Sequence, residues 1–345
     1  MNPITLSVVL TSLALGTILT VSSSHWFLAW MGLEINTLAI IPLMAQHKHP
    51  RAIEASTKYF LTQAAASALL LFSSLNNAWF TGEWSIMDLT SPLSCTTMTI
   101  AICMKLGLAP FHFWLPEVLQ GLNLTTGLIL STWQKLAPMA ILFQISPMLN
   151  TPLLLTIGLT STLIGGWGGL NQTQLRKILA FSSIAHLGWM ISILPFSPQL
   201  MIINLTIYLI MTSTMFLTLK TISSTKISSL ATSWSKTPTT TALSLLTLLS
   251  LGGLPPLSGF LPKWLILQEL TNQNTTILAT MLALSALLSL FFYLRLTYVV
   301  TLTSSPNTSN MTLTWRHQSK QPTILLSISL ILSSFIIPIS PLMVM

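Results

Sequence analysis

The hydrophobic residues of the chain are grouped in runs of about 20, separated by short polar segments. A helix needs roughly 20 apolar residues to cross the hydrocarbon core of a bilayer, so the pattern predicts eleven membrane-spanning helices. They cover about 3–22, 25–45, 59–77, 95–114, 124–147, 151–171, 178–195, 199–219, 239–270, 276–299 and 323–343. The sequence therefore predicts an all-α integral membrane protein with no water-soluble domain left over.

Composition supports this prediction. Charged residues make up only 6% of the 345 residues, and the mean hydropathy is +0.75. Soluble domains carry roughly 25% charged residues, so a surface this poor in charge is suited to lipid. The net charge of +8 comes from basic residues spread through short loops. They form no basic cluster of the kind that binds nucleic acid, and no nucleic-acid partner is expected.

Most basic residues lie in the even-numbered loops between the predicted spans. These are Lys48, Arg51, Lys58, Arg176, Lys177, Lys220, Lys226, Lys236, Arg316 and Lys320. The odd-numbered loops contain neither Lys nor Arg, and the longest carries Glu83 and Asp88. Because positively charged loops stay on the side where the chain is made, the N-terminus is predicted on that side and the C-terminus on the other.

Six ionisable residues are predicted at or near membrane depth: Glu34, Lys105, His112, Lys135, His186 and Lys263. A charge at the bilayer centre costs about 2.5–3.5 kcal/mol, so the three lysines and the glutamate would cost on the order of 10 kcal/mol if they faced lipid. They are therefore expected to face one another or a hydrated interior. Two interpretations remain, proton or ion handling and structural polar contacts, and the first is preferred because intramembrane ionisable residues are usually functional.

The residue types favour protons over metal ions. At an effective dielectric constant of about 20, two unit charges 4 Å apart interact with about 4 kcal/mol, enough to change the protonation state of a lysine. A small movement of Glu34 relative to Lys105 could therefore load or release a proton. A metal site needs clustered His, Cys or carboxylate ligands, and the sequence shows none. His47 and His49 flank Lys48 and are predicted to be solvated.

Proline and glycine interrupt two predicted spans. Pro110 and Pro116 are predicted to break the fourth. The ninth is predicted to be broken by Gly252, Gly253, Pro255, Pro256, Gly259 and Pro262. Unwound backbone at membrane depth is tolerated only inside protein or beside a watery cavity, and paired interruptions in two halves of a chain indicate a transport site.

The two interrupted segments also resemble each other. LGLAPFHFWLPE (106–117) aligns with LGGLPPLSGFLPK (251–263) after one insertion. Five spans separate them, and an odd number inverts the second copy. We predict that spans one to five (about 1–147) repeat as spans six to ten (about 151–299), with an extra C-terminal helix at about 323–343. His186 then corresponds to Glu34, whereas Lys263 aligns with Glu117.

Other motifs indicate packing. GGWGGL (165–170) lies within a span with no preceding strand, so Gly165 and Gly169 are predicted to allow close helix packing and not to bind a nucleotide. Cys95 and Cys103 have no CxxC spacing and no disulfide framework, and are predicted to pack as small apolar residues. No motif indicates a bound nucleotide, flavin, iron–sulfur cluster or metal.

Seven stretches carry a family resemblance: MNPIT, GLEINTLAIIP, EASTKYFLTQAAAS, MKLGLAPFHFWLPEV, TWQKLAP, GGLNQTQLRKILAFSSIAHLGWM and LSLGGLPPLSGFLPKW. They resemble the chain 2 family of NADH–ubiquinone oxidoreductase, the mitochondrially encoded membrane-arm subunits of respiratory complex I, in its vertebrate form. The resemblance implies an antiporter-like fold of inverted five-helix repeats, with the basic side in the mitochondrial matrix. It also implies other membrane-arm subunits, including neighbouring antiporter-like ones, and membrane lipids such as cardiolipin as partners.

The resemblance implies a role for each buried ionisable residue. Glu34 resembles the family's carboxylate that pairs with the first membrane lysine, Lys105. Lys135 resembles the central connecting lysine, and Lys263 the lysine at the second broken helix, towards the exit. His112 and His186 resemble members of the hydrated polar axis between them. NADH, FMN, iron–sulfur clusters and ubiquinone would belong to other subunits, so this chain itself is expected to bind no cofactor and to perform no redox chemistry.

Three functions are compatible with these observations. The preferred one is a proton-translocating subunit of complex I that is driven by quinone reduction elsewhere. The alternatives are a stand-alone cation/proton antiporter and a structural scaffold between neighbouring pump modules. Glu117 is predicted to serve in helix capping or loop structure only.

Overall fold

The computed structural model describes residues 2–46, 49–302 and 323–335. The α-helices among them are α1 Pro3–Ser22, α2 Trp26–Met44, α3 Pro50–Thr81, α4 Pro92–Leu106, α5 Trp114–Gly121, α6 Leu124–Ser131, α7 Trp133–Ile145, α8 Thr151–Gly169, α9 Leu175–Ile193, α10 Pro198–Ile222, α11 Ile227–Ala231, α12 Pro238–Gly252, α13 Phe260–Asn272, α14 Thr276–Leu302 and α15 Ile324–Phe335. Short 3-10 turns lie at Ser146–Met148 and Thr232–Ser235. No strand occurs in these ranges, which confirms the all-α class.

Each of the eleven predicted spans overlaps a helix or a pair of half-helices in the described residues. By length and composition, five of the described segments can cross a membrane unaided: Pro3–Ser22, Trp26–Met44, Leu124–Met148, Pro198–Ile222 and Thr276–Leu302. The basic positions Lys48, Arg316 and Lys320, and the end of the eleventh span after 335, lie outside the described residues. The predicted pattern of long apolar helices is therefore present in the fold.

Proline starts many of these helices. Pro3, Pro50, Pro92, Pro198 and Pro238 each occupy the first helical position. The first N–H groups of a helix have no partner within it, so proline loses nothing there and its fixed φ suits the helix.

Helix α3 begins earlier than the charge pattern suggested. His49 caps it, because its Nδ1 accepts a hydrogen bond from the Arg51 N–H at 3.2 Å. Arg51 and Lys58 are consequently helical residues and not loop residues. His49 is exposed, as predicted, and it caps the helix in addition.

The chain forms two compact units, Met1–Thr160 and Ser161–Met345. In the first unit, α1 and α2 approach closely where Gly16 and Gly32 meet, and a Cβ on Gly32 would lie 2.9 Å from the Gly16 carbonyl oxygen. In the second unit, α10 packs against α9, α12, α13 and α15. Each unit contains one of the two predicted interrupted helices.

The two interruptions share one local design. α4 ends at Leu106 and α12 at Gly252, and each is followed by a left-handed glycine, Gly107 at φ 76° and Gly253 at φ 81°. A left-handed residue after a helix favours glycine, since it has no Cβ to clash. The next half-helices begin at Trp114 and Phe260, the residues that the sequence alignment pairs.

Two prolines do not act as predicted. Pro116 and Pro262 were expected to interrupt their helices, but each is the third residue of the following half-helix, α5 or α13. The N–H groups of the first turn have no intrahelical acceptor, so proline removes no hydrogen bond there. The breaks therefore depend on Pro110 in the first unit and on Gly253, Pro255 and Pro256 in the second.

A third interruption was not predicted. The fifth span is divided at Thr132, whose φ of −111° and ψ of −69° separate α6 from α7. Pro138, inside α7, has no N–H to offer the carbonyl four residues earlier. Lys135 therefore lies in the first turn of α7 and not in the middle of a continuous helix.

Candidate functional site

The first unit contains a small buried cavity between its helices. It measures about 20 Å³, which is room for a water molecule. Its lining residues are Leu33, Asn36, Thr37, Tyr59, Gln63, Lys105, Leu106, Trp114, Leu115, Leu130, Gln134, Lys135, Ala137 and Pro138. Two of the predicted lysines thus share one cavity.

Lys105 lies at the C-terminal end of α4, the negative end of the helix dipole. It is 6% exposed and sits in the last helical turn, where unpaired carbonyls favour a cation. Its Nζ has no hydrogen-bond partner among the described residues, and neither has Glu34 Oε2. Glu34 nevertheless acts electrostatically on Lys105. The predicted pair is therefore close enough to interact, although it forms no direct ion pair within the described part of the chain.

Lys135 occupies the opposite kind of helix position. It is 3% exposed and lies in the first turn of α7, where the positive end of the helix dipole disfavours a cation. The same cavity is therefore bordered by one lysine whose helix stabilises its charge and one whose helix opposes it. Such an asymmetry suits directional proton transfer.

Two glutamines that sequence reasoning missed connect the helices carrying these residues. Gln134 Nε2 donates to the Asn36 carbonyl at 3.2 Å and ties α7 to α2. Gln63 Nε2 reaches the Lys105 carbonyl at 3.5 Å and links α3 to α4. The sequence signal was available, since each is a polar amide inside an apolar span. The sequence prediction was based on ionisable residues and therefore did not include these two amides.

His112 is buried but does not line this cavity. It lies in the break between α4 and α5, is 6% exposed, and contacts the Phe113 ring at a tilt of 33° with ring centroids 4.3 Å apart. Its Nδ1 has no hydrogen-bond partner among the described residues. The predicted depth of His112 agrees with its burial, whereas its participation in a polar line stays a prediction.

In the second unit, Lys263 bridges the interruption of the ninth span. Its Nζ donates to the Gly252 carbonyl at 2.7 Å, so the fourth residue of α13 caps the end of α12. His186 lies in α9, is 5% exposed, and approaches Tyr208 with ring centroids 5.5 Å apart. His186 is thus buried and Lys263 half-buried within the unit.

Glu117 differs from its predicted role. It lies in the first turn of α5, and its Oε2 pairs with Lys58 Nζ at 2.7 Å, joining α5 to α3. Lys58 also pairs with Glu54 at 2.7 Å. Hydrogen bonds to these two carboxylates raise the pKa of Lys58, and Lys58 in turn lowers the pKa of Glu54. All three side chains lie outside the predicted third and fourth spans, 59–77 and 95–114.

The glycine motif packs as predicted. A Cβ on Gly165 would lie 2.7 Å from the Ala185 backbone nitrogen, and one on Gly169 would lie 2.8 Å from the Phe292 ring. Arg295 donates a hydrogen bond to the Leu170 carbonyl just after α8. In the described ranges, no group of three or more His, Cys, Asp or Glu residues could hold a metal ion.

Comparison with known proteins gives a consistent result. Residues 23–289 match the family described as NADH:quinone oxidoreductase/Mrp antiporter, TM, and residues 290–344 match NADH dehydrogenase subunit 2 C-terminus. NADH-ubiquinone oxidoreductase chain 2 of Xenopus laevis is 91% identical over 342 residues, 99% of each chain. The chain 2 protein of Scyliorhinus canicula is 64% identical over 345 residues, 100% of this chain and 99% of the relative.

Solved structures share the fold. A chain of respiratory complex I from Thermus thermophilus with bound aureothin gives a TM-score of 0.80 at 26% identity, covering 96% of this chain and 78% of that chain. A chain of the Mrp complex from Dietzia sp. gives 0.75 at 16% identity, covering 95% and 74%. At that lower identity the likeness concerns the fold alone.

The helical fold with its interrupted helices and buried lysines defines an antiporter-like membrane subunit. The chain belongs to the NADH–ubiquinone oxidoreductase chain 2 family, the antiporter-like membrane-arm subunits of respiratory complex I. The resemblance drawn from the sequence motifs and the antiporter-like fold class are thereby confirmed.

Proposed function

We propose that this chain translocates protons within respiratory complex I by passing them between its buried polar side chains, while quinone is reduced in other subunits. The observation that carries the proposal is the cavity of the first unit, which Lys105 and Lys135 line together and which has room for water. A water molecule between two amines can accept a proton from one and donate a proton to the other. The chain thus contributes to the H+-translocating NADH:ubiquinone reductase without redox chemistry of its own.

Glu34 would control loading of Lys105. Burial disfavours the ammonium form, whereas Glu34 and the carbonyls at the end of α4 favour it. Because a nearby unit charge is worth about 4 kcal/mol at an effective dielectric constant of about 20, a shift of Glu34 by a few ångströms decides whether Lys105 keeps its proton. Lys135 would receive the released proton through the cavity.

His112 would take part in proton transfer at the helix break of the first unit. His186 and Lys263 would take part in proton transfer in the second unit. Lys263 is anchored on the Gly252 carbonyl, so its proton can leave when the two half-helices move apart. The corresponding interruptions at Gly107 and Gly253 support the proposal that about 1–147 and about 151–299 are inverted repeats, followed by the C-terminal helix at about 323–343.

Substitution of Lys105 tests the proposal. Lys105→Met in assembled complex I should lower coupled turnover by about a hundredfold, the low end expected for loss of a proton-transferring side chain. NADH-driven proton uptake per electron, measured in sealed vesicles, provides the readout. Lys220→Met is the matched control, because Lys220 also lies in the last turn of a helix, α10, but is exposed.

The outcomes separate the three functions. An unchanged proton-to-electron ratio in Lys105→Met removes Lys105 from the path. Loss of assembly without loss of coupling in the remaining complex favours a scaffold. Sodium-driven proton exchange by the isolated chain in liposomes favours a stand-alone antiporter.

We also propose a location in the mitochondrial inner membrane, with the N-terminus in the matrix and the C-terminus in the intermembrane space. The asymmetry of Lys and Arg between the loops supports this orientation. Large exposed apolar side chains such as Trp79, Phe80 and Trp167 suit contact with lipids, cardiolipin among them, or with neighbouring antiporter-like subunits. Mass spectrometry of lipids retained by the purified complex tests the lipid part.

A further inference from the structure

Two buried tyrosines lie in the second unit, one beside His186 and one beside Gly252. Tyr208 in α10 is 0% exposed and Tyr293 in α14 is 1% exposed. Burial of a phenol normally requires a hydrogen-bond partner for its hydroxyl, because an unpaired polar group away from water is costly. Neither tyrosine is among the six ionisable residues that the sequence predicts at membrane depth.

Tyr208 is in direct contact with the proton-handling region of α9. Its ring centroid is 5.5 Å from that of His186, at an interplanar angle of 43°. Its side chain also hydrogen-bonds with Ser183, one turn before His186, and interacts electrostatically with Tyr293. The three helices α9, α10 and α14 therefore bring two phenols and one imidazole together.

Tyr293 has the less satisfied hydroxyl. Its Oη is buried without a hydrogen-bond partner of ordinary geometry among the described residues. It lies beside Ser182, but the Ser182 hydroxyl donates to the Leu179 carbonyl at 2.8 Å. Tyr293 thus keeps a buried hydroxyl that can donate or accept a proton.

The ring and Cβ of Tyr293 lie close to Gly252, the residue that binds Lys263. A Cβ on Gly252 would lie 3.7 Å from Tyr293 Cδ2, and the Gly252 carbonyl is the acceptor of the Lys263 Nζ at 2.7 Å. The tyrosine side chain therefore extends from the anchor of Lys263 to the neighbourhood of Ser182 and Tyr208.

We propose that the Tyr208 and Tyr293 hydroxyls are relay groups that pass protons between His186 and Lys263. Each hydroxyl gives its proton to the next acceptor as it receives one from the preceding donor, so it is regenerated and no electron moves. Water completes the transfer wherever two groups are not in direct contact. This inference rests on the proposed proton-translocating function and adds two residues to it.

Tyrosine-to-phenylalanine variants of assembled complex I test the relay. Phenylalanine keeps the ring and removes only the hydroxyl. Tyr293→Phe is the decisive variant, because the Tyr293 hydroxyl has no hydrogen-bond partner of ordinary geometry among the described residues. We expect normal assembly and a fall in coupled turnover of about a hundredfold, with an altered solvent deuterium isotope effect. Tyr298→Phe, on the same helix but 60% exposed, should leave both unchanged.

The double variant adds a second readout. If both tyrosines act in series, Tyr208→Phe combined with Tyr293→Phe should be no slower than the slower single variant, because residues on one path are non-additive. Wild-type turnover and isotope effect in Tyr293→Phe would overturn the relay, and the same result in a well-assembled double variant would exclude Tyr208. If coupled turnover falls in Lys105→Met but stays normal in the tyrosine variants, only the relay is rejected. If coupled turnover is normal in Lys105→Met, the proposed function is rejected.

Discussion

At the residue scale, uncharged amides accompany the buried charges. Gln134 and Gln63 hold the backbone next to Lys135 and at Lys105, and both line the cavity that the two lysines share. An amide can donate and accept hydrogen bonds without a charge, so its burial costs less than that of an ion. These two side chains fix the positions of the helices that carry the lysines, and they can orient water in the cavity.

Gln134→Leu tests the role of this amide. Loss of the hydrogen bond to the Asn36 carbonyl should cost about 0.5–1.5 kcal/mol of stability, and loss of the polar cavity wall should lower coupled turnover several-fold. Thermal unfolding and proton uptake by the assembled complex measure the two effects. Since leucine is close in size, the packing of α7 should be retained.

The same helix supplies a control for this experiment. Gln144 Nε2 donates to the Val21 carbonyl at 3.0 Å, but Gln144 does not line the cavity. Gln144→Leu should therefore lose similar stability and keep its turnover. Equal turnover in the two variants would show that Gln134 is only a structural tie.

At the element scale, the ends of the half-helices are set by capping and not by proline alone. Gly107 and Gly253 end α4 and α12 in the left-handed conformation, whereas Pro116 and Pro262 lie in the first turn of the next helix. The sequence predicted both interruptions correctly but assigned some of these residues to the wrong part of the break. It missed the interruption at Thr132 because no glycine or proline lies at that position.

One ion pair between α3 and α5, Lys58–Glu117, holds the second half of the broken fourth span, and a second pair, Lys58–Glu54, lies within α3. Lys58→Met removes both pairs and should loosen α5, although the effect on stability should be small because the three side chains are largely solvated. The loss should appear as a lower unfolding temperature of the assembled complex, and Lys58→Arg should retain most of the wild-type value.

The pH dependence of this effect has a defined sign. The pKa of Glu54 is lowered from its usual 4.5, so its contribution is complete above pH 4.5 and is lost as the pH falls through the lower folded value. The pKa of Lys58 is raised from 10.5, so its contribution is complete below pH 10.5. The difference between wild type and Lys58→Met should stay constant between these limits and shrink in acid. A difference that grows in acid would contradict the assigned pairs.

At the scale of the whole molecule, the family assignment covers nearly the full chain, and the charge pattern adds an orientation. An odd number of spans places the two termini on opposite sides of the membrane. In mitoplasts, a tag at the C-terminus should be accessible to protease, and a tag at the N-terminus only after the membrane is opened. Accessibility of both tags from the same side would contradict eleven spans, and exchanged accessibility would reverse the orientation.

The sequence by itself determined the all-α membrane class, the spans, the two main interruptions and the buried ionisable residues, because the cost of polar groups in lipid acts on each segment separately. Only the tertiary structure decided which buried groups meet. Lys105 and Lys135 share a cavity, Lys263 caps α12, and Tyr208 lies against His186. These contacts depend on the positions of helices that are separate in the chain. Periodicity and composition carry no information about such distances.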